Sequence, residues 1–424
     1  MGGTAANATS PIARAVAALG PGALDDARLA RHVAPLFSRH RAACGDRIYL
    51  ANHSLGRPLD VTADDVAQGL AAWYAGMGDA WTPWQAERDA HRAHLARLLH
   101  APRADCVVPK TSAGQGLRAV LNTYDTPPRV VASRGEFDSL DVILREYARR
   151  GRARVDFVAA GDDGCYATDD IVAAIRRGCD LVVVSEVMFV TGQRLADLTT
   201  IVDAAHAAGA RILVDVYHSL GVFEVDVVAL RTDYAVGGSY KYLRGGPGAC
   251  FLYVAPAVLE AQVATLDIGW FAKAAPMQYA RPDPPRFAPG GDAWLESTPP
   301  VLSPYQARAG LALLMALGVD RVRAHSLRLQ RRLVDFLAIR DIAADGGTAA
   351  RGAFVVVRDA EAVAMADALA ARGIMVDARG DCLRICPDIV TRDDELVACA
   401  EALAAVMRGS QPVPARLQPG RVMK

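Results

Sequence analysis

Lys241 is one of few residues in this sequence that could supply a reactive amine, because only four of the 47 basic residues are lysines. It lies in GGSYKYLRGGPG (237–248), where a Gly-rich turn follows an apolar run and a tyrosine flanks the lysine on each side. Aromatic, half-apolar surroundings can lower the pKa of a lysine and make it a nucleophile or a base. A solvated surface lysine is the alternative interpretation.

A second cluster, VDVYHS (214–219), places a carboxylate and an imidazole where an apolar run ends. Asp215 interrupts the run, and His218 follows three residues later. Burying a carboxylate costs several kcal/mol unless a cation or hydrogen bonds compensate it. We therefore expect a cationic group opposite Asp215, with a cap on the next turn as the alternative.

A third cluster, VVPKTSAGQGLRAVLN (107–122), has the pattern of a strand, a Gly-containing turn and a helix. Unpaired backbone N–H groups and the positive end of the helix would meet at 112–116, which is typical of an anion site. The spacing of Gly114, Gly116 and Ala119 also matches a dinucleotide fingerprint, but nothing else indicates a nicotinamide site. An ordinary strand–helix connection is the alternative.

The three clusters together indicate one ligand, because each offers a partner for a different group of the same cofactor. Pyridoxal 5'-phosphate (PLP) carries a phosphate for the helix start at 112–116, a ring nitrogen for Asp215 and an aldehyde carbon for Lys241. Phe137 follows the apolar run RVVAS (129–133) and could stack on the ring, with plain core packing as the alternative.

The elements that must position these clusters alternate between short apolar runs and amphipathic stretches. This pattern predicts an α/β fold with a mainly parallel, seven-stranded sheet between helices, and a smaller α+β C-terminal domain. We predict an N-terminal arm and helix at 1–45 that packs with the small domain, a large domain at 46–304, a small domain at 305–408 and a flexible tail at 409–424. The expected strands of the large sheet are 106–108, 129–133, 154–159, 180–185, 211–216, 234–239 and 249–254.

Charge and composition narrow the class of protein further. The 47 basic and 47 acidic residues give a net charge of zero, so we expect neither nucleic acid nor a membrane as a partner. No apolar run approaches the roughly 20 residues of a membrane-spanning helix. The eight cysteines are scattered without metal-binding spacing, which favours reduced thiols, no metal site and a cytoplasmic location.

The sequence resembles the class V aminotransferase superfamily of fold-type-I PLP enzymes, and within it the kynureninases. The segments that carry the resemblance are IYLANHSLG (48–56), VVPKTSAGQGL (107–117), SEVMFVTGQ (185–193), the D-x-x-H at 215–218, SYKYLRGGPG (239–248), GWF (269–271), AWLESTPP (293–300) and DARGDCLRICP (377–387). The resemblance implies hydrolysis of the Cβ–Cγ bond of kynurenine or 3-hydroxykynurenine to alanine and anthranilate or its hydroxy derivative. It also implies a homodimer with active sites at the subunit interface and a place in tryptophan catabolism.

The resemblance implies a role for each matching residue. Lys241 would hold the cofactor as a Schiff base, and Asp215 would bind the pyridine nitrogen beside His218. Tyr240 would contact the phosphate and relay a proton. The remaining cofactor contacts would be Ser112, Ala113 and Phe137, with Trp270 and Thr298 from the neighbouring subunit. The substrate contacts would be Arg384, which grips the α-carboxylate, with Asn52 and Ser54.

Two departures from the kynureninase pattern leave the substrate open. Kynureninases usually carry Leu-Thr where this chain has Ser112-Ala113, and Asn where this chain has Thr298. One alternative is another reaction of the same site residues on a small amino acid, namely transamination, epimerisation or β-elimination. A further alternative is a non-catalytic scaffold that keeps the fold. A desulfurase is disfavoured, because Cys382 lies two residues before Arg384 on an apparent strand and has the pattern of a core residue.

Overall fold

A computed structural model of the chain describes residues 10–409. The predicted tail therefore lies outside the described residues, apart from Gly409. The α-helices are α1 Pro11–Leu19, α2 Asp26–Arg28, α3 Ser38–Cys44, α4 Thr62–Gly76, α5 Trp81–Leu98, α6 Ala113–Leu121, α7 Asp138–Arg149, α8 Thr168–Arg176, α9 Leu198–Ala207, α10 Pro256–Glu260, α11 Leu302–Leu317, α12 Val319–Ala338, α13 Ala362–Ala370 and α14 Asp393–Met407. The strands are β1 Ile48–Tyr49, β2 Val107–Lys110, β3 Arg129–Ser133, β4 Arg154–Val158, β5 Leu181–Ser185, β6 Arg211–Asp215, β7 Tyr234–Gly238, β8 Cys250–Val254, β9 Val355–Arg358, β10 Ile374–Met375, β11 Asp377–Arg379 and β12 Cys382–Ile385.

A seven-stranded sheet in the order β2-β8-β7-β6-β5-β3-β4 forms the centre of the molecule. Strands β3 to β7 pair in parallel, whereas β8 runs antiparallel to both β7 and β2. The predicted mainly parallel sheet of seven strands is confirmed, and each expected apolar run contributes one strand. Every residue of β5, β7 and β8 is buried, because helices cover both faces of the sheet.

The C-terminal part of the chain builds a second, smaller sheet around a core of its own. Strands β11, β12 and β9 form an antiparallel sheet, and α12, α13 and α14 supply most of the side chains that pack against it. Strand β1 pairs in parallel with β10, and Leu50 contributes to this second core. The N-terminal strand therefore joins the smaller unit, and the predicted domain boundaries stay a prediction.

The N-terminal arm lies against the helices that begin the C-terminal part. Ile12 and Leu19 of α1 and the following Leu29 pack with Leu313 and Leu317 of α11 in one apolar cluster. Arginines of α12 add polar contacts, because Arg321 and Arg328 donate to backbone carbonyls between Gly20 and Leu24.

The carboxyl ends of the parallel strands bring the candidate site residues to one edge of the sheet, where ligands bind in open α/β sheets. Asp215 is the last residue of β6, and Lys241 lies three residues beyond the end of β7. No helix within residues 10–409 is long and apolar enough to cross a membrane.

Candidate active site

The amine of Lys241 lies in an aromatic cage beyond the end of β7. The residue is 6% exposed, and Nζ lies 5.5–5.7 Å from the ring centres of Phe137, Tyr217 and Tyr240. Burial lowers the pKa of Lys241, and the charge of Asp215 only partly opposes this effect. Lys241 is therefore an amine that can lose its proton within the site, as its sequence context indicated.

His218 is the hydrogen-bond partner of this amine. Its Nε2 lies 2.7 Å from Nζ of Lys241, and its Nδ1 lies 3.1 Å from the hydroxyl of Tyr242. Burial, together with the charge of Lys241, holds the pKa of His218 well below its usual range. The imidazole is therefore neutral, so one ring nitrogen can accept a hydrogen bond while the other donates one.

Asp215 carries a buried carboxylate at the end of β6, where the sequence predicts a cationic group opposite it. It is 5% exposed, and Oδ1 accepts a hydrogen bond of 2.8 Å from the backbone N–H of Tyr217. No arginine or lysine within residues 10–409 forms an ion pair with it at 4 Å or less. Burial raises the pKa of Asp215, whereas the Tyr217 N–H and the charge of Lys241 act in the opposite direction. A cationic ring nitrogen would supply the partner that this carboxylate lacks.

Ser112 and Ala113 form the start of α6, as expected. The hydroxyl oxygen of Ser112 caps the helix by accepting the backbone N–H of Gln115 at 3.1 Å. Within the described part of the chain, the N–H groups of Ala113 and Gly114 have no hydrogen-bond acceptor. They are therefore available to an anion. Gly116 serves packing instead, because a Cβ there would lie 2.6 Å from Cγ1 of Val236 on β7.

Arg384 lies on β12 directly opposite Asp377 on β11, and the two side chains form a bidentate pair. Nε and Nη2 of Arg384 lie 2.8 and 2.7 Å from the two carboxylate oxygens of Asp377. Nη1 donates to the backbone carbonyl of Phe189, and the guanidinium lies 5.8 and 5.6 Å from the ring centres of Phe189 and Phe354. At 2% exposure, Arg384 is a fixed cation and not a mobile surface arginine.

Residues of the N-terminal segment reach the same carboxylate. Nε2 of His53 lies 2.8 Å from Oδ1 of Asp377, and the hydroxyl of Ser54 donates to Oδ2. Burial alone would raise the pKa of Asp377, but hydrogen bonds and charges from His53 and Arg384 hold it well below its usual range. Ser54, a predicted substrate contact, is thus bonded to Asp377. Asn52, the other predicted substrate contact, accepts a hydrogen bond of 3.4 Å from Nη1 of Arg244.

Trp270 and Thr298 lie on the long segment between β8 and α11. Trp270 stacks on Tyr279, with ring centres 5.8 Å apart. Thr298 is exposed and lines a cavity of about 140 Å³ together with Thr111 and Gln115, next to the helix start. Within the described chain, neither residue has a hydrogen bond to the Lys241 cluster. Their predicted roles in a neighbouring subunit stay predictions.

Several residues that shape the site were not predicted from the sequence, namely His53, Phe189, Tyr217, Tyr242, Phe354, Asp377 and, beside Phe137, Glu136. The pairing of Asp377 with Arg384 had a signal in the sequence, because both flank a short turn and alternate residues of a hairpin face each other. His53, Phe189 and Phe354 carry no such signal, since their partners lie far away in the sequence.

Glu136 is a buried acid next to the stacking position of Phe137. At 2% exposure, it accepts hydrogen bonds of 2.6 Å from the hydroxyls of both Ser133 and Ser185. Burial raises the pKa of Glu136 to about 7, although these hydrogen bonds oppose the shift. Ser185 pairs in register with Asp215, so Glu136 lies beside the strand end that carries the site carboxylate.

Comparison with known families agrees with this geometry. The family described as aminotransferase class-V matches residues 72–398. The chain belongs to the aminotransferase class-V family. Within it, a kynureninase from Deinococcus radiodurans is 32% identical over 297 residues, which are 67% of this chain and 70% of that protein. A kynureninase from Xanthomonas axonopodis pv. citri is 29% identical over 413 residues, which are 89% of this chain and 94% of that protein. This class-V chain is thus kynureninase-like, as its motifs indicated.

Solved structures establish the fold of this class-V chain. A cystine C–S lyase in complex with cysteine persulfide superimposes with a TM-score of 0.77 at 18% identity, covering 86% of this chain and 98% of that one. A cysteine desulfurase from Thermococcus onnurineus NA1 gives a TM-score of 0.75 at 16% identity, with 86% and 95% covered. These likenesses confirm fold type I. The fully buried Cys382 lies within β12, and burial raises its pKa to about 11.

The residues present fit PLP. The poorly compensated carboxylate of Asp215 suits a protonated ring nitrogen, and the buried amine of Lys241 suits an aldehyde. The unused N–H groups of Ala113 and Gly114 suit a phosphate, and Phe137 flanks the amine with an aromatic face.

Proposed function

We propose that this class-V chain is a PLP-dependent hydrolase that cleaves the Cβ–Cγ bond of kynurenine or 3-hydroxykynurenine, giving alanine and anthranilate or its hydroxy derivative. The kynureninase relatives and the fit of the site to PLP support the reaction. The observation that carries the proposal is the buried Lys241 amine, which lies 2.7 Å from the neutral His218 and near the unpaired Asp215.

The side chains divide the work by position. Lys241 would hold the cofactor through its amine, and its lowered pKa would let the free amine accept the proton from Cα of the substrate. Bound PLP supplies an electron sink for the negative charge that this proton leaves behind. Asp215 keeps the ring nitrogen protonated. Water adding to the γ-carbonyl carbon would supply the hydroxyl group of the carboxylic acid product. Tyr240, whose ring centre lies 5.7 Å from Nζ of Lys241, would donate a proton to Cβ when the Cβ–Cγ bond breaks.

Arg384 selects substrates by their α-carboxylate. It is a buried cation on β12, and guanidinium–carboxylate pairs are strong and directional. Ser112 and Ala113 hold the phosphate at the start of α6, where the backbone donors are unused. Phe137 fixes the plane of the ring.

The active unit is a homodimer in which Trp270 and Thr298 of one subunit complete the site of the other. An exposed apolar surface at the end of α4 supports association, since Trp73, Tyr74 and Met77 are 51%, 84% and 69% exposed. The enzyme acts in the cytoplasm, in tryptophan catabolism. Its eight free cysteines are consistent with a reducing compartment.

The test is the release of fluorescent anthranilate when the purified, PLP-loaded protein meets kynurenine, with 3-hydroxykynurenine run in parallel. We expect turnover that Lys241→Ala abolishes and Lys273→Ala, a change at a lysine outside the site, leaves intact. Peptide mapping after borohydride reduction should place the trapped cofactor on Lys241. Formation of a keto acid or of racemised amino acid, without anthranilate, would contradict the proposal.

A further inference from the structure

The carboxylate of Asp377 is the centre of a buried polar network around Arg384. It accepts two hydrogen bonds from Arg384, one from His53 and one from Ser54. A carboxylate has about four acceptor positions, so this set saturates it. Withdrawing Asp377 from Arg384 would leave the buried guanidinium without its carboxylate partner, which is unfavourable.

Arg384 keeps donors to spare after these contacts. A guanidinium carries five N–H groups. Asp377 takes one on Nε and one on Nη2, and the carbonyl of Phe189 takes one on Nη1. One N–H therefore remains on each terminal nitrogen, which is the number that a second carboxylate needs for bidentate binding.

The rings of Phe189 and Phe354 limit the remaining freedom of this arginine. They lie 5.8 and 5.6 Å from the guanidinium carbon, and they connect it to the reactive amine. Phe189 contacts Phe137 at 5.6 Å and Phe354 contacts His218 at 5.6 Å, and both of those residues adjoin Lys241. The orientation of Arg384 is thus defined relative to the point where the substrate amine must react.

We propose that Asp377 is a positioning residue, which holds one edge of the Arg384 guanidinium so that the terminal N–H groups are presented to the α-carboxylate of the substrate. His53 and Ser54 fix Asp377 in turn. The segment 52–56, although distant in the sequence, thereby contributes to the specificity for a carboxylate. The inference rests on the proposed function only in taking the substrate to be an α-amino acid.

The experiment compares two ligands that differ only in the carboxylate. Dissociation constants of L-alanine and ethylamine are measured from the visible absorbance of the PLP-loaded protein, without turnover. The wild type should bind L-alanine at least tenfold more tightly than ethylamine. Asp377→Asn should raise the dissociation constant of L-alanine at least tenfold and that of ethylamine less than twofold, because Arg384 loses its orientation. Asp381→Asn, an exposed acid in the same hairpin, is the matched control and should change neither constant.

Three outcomes would overturn the inference. Equal weakening of both ligands would mean that Asp377 supports the site as a whole, and tighter binding of L-alanine would mean that Asp377 competes with the substrate. A wild type that does not distinguish the two ligands would remove Arg384 as the carboxylate site. If Asp377→Asn does not fold, the same measurement on Ser54→Ala tests the inference. We expect this variant to bind L-alanine two- to fivefold more weakly and ethylamine unchanged. Failure of the kynurenine assay leaves these constants unaffected, so the two proposals fail separately.

Discussion

Nζ of Lys241 lies 2.7 Å from Nε2 of His218, and both groups are buried. Since His218 is neutral, one ring nitrogen can accept a hydrogen bond from the Lys241 amine while the other donates one to the hydroxyl of Tyr242, 3.1 Å from Nδ1. His218→Phe keeps a ring against Phe354 but removes both nitrogens. We expect kcat to fall by about tenfold to a hundredfold, while the cofactor content stays near one per chain.

The control for this variant is His206→Phe, which removes an imidazole at the end of α9, away from the site. It should retain wild-type kcat. An unchanged kcat in His218→Phe would show that the contact with Lys241 is structural only.

The buried acid Glu136 predicts a pH dependence of stability. Its pKa is raised from 4.5 to about 7 by burial, so the folded chain binds a proton there that the unfolded chain releases earlier. The contribution of Glu136 to the stability of the wild type therefore decreases as the pH rises from about 4.5 through about 7. Glu136→Gln lacks this titration, so its melting temperature relative to wild type should increase across that range and level off above it. Glu361→Gln, at an exposed position, should show no such trend.

Gly56 should be intolerant of a side chain. A Cβ there would lie 2.0 Å from the carbonyl oxygen of Lys241, and the N–H of Gly56 donates to the carbonyl of Tyr240 at 2.8 Å. Gly56→Ala should lower stability by about 1–3 kcal/mol and reduce the cofactor content, because the Lys241 turn must move. Gly22→Ala, with open space around the added methyl, is the control. Equal melting temperatures and cofactor contents would contradict this assignment.

The proposed shared site predicts complementation between two inactive variants. A chain with Lys241→Ala lacks its own anchor but still carries Trp270 and Thr298, whereas a Trp270→Ala/Thr298→Ala chain has the opposite defect. Co-expressed, they should form mixed dimers with one complete site, and activity should return to as much as half of the wild type per mixed dimer. The activity of each variant purified alone gives the baseline against which the activity of the co-expressed mixture is compared. Persistent inactivity of a verified mixed dimer would place both residues outside the partner's site.

Much of this architecture could be predicted because it depends on local pattern. The seven apolar runs predict the seven strands, since a parallel sheet covered on both faces requires continuous apolar residues. Lys241 and Asp215 were recognisable because a charged side chain near the end of a buried strand is costly unless a partner compensates its charge. Lysine scarcity in an arginine-rich chain made the first of these easier to find.

Long-range partnerships could not be predicted in the same way. His53 and Asp377 are far apart in the sequence, and neither residue alone indicates the other. The pairing of β1 with β10 was missed for the same reason, because a two-residue strand has almost no pattern of its own. The role of Glu136 could not be predicted either, because it depends on Ser185 from another strand.

The parallel pairing of Ile48 with Ile374 has a consequence for biosynthesis. The carboxylate that orients Arg384 is held by residues near position 53, yet Asp377 lies 324 residues after His53 and leaves the ribosome much later. The nascent polypeptide can fold its central sheet before Asp377 and Arg384 have emerged, but until then it lacks the proposed carboxylate site. Truncated products that lack the final strands would retain Lys241 and Asp215 without the means of selecting a substrate.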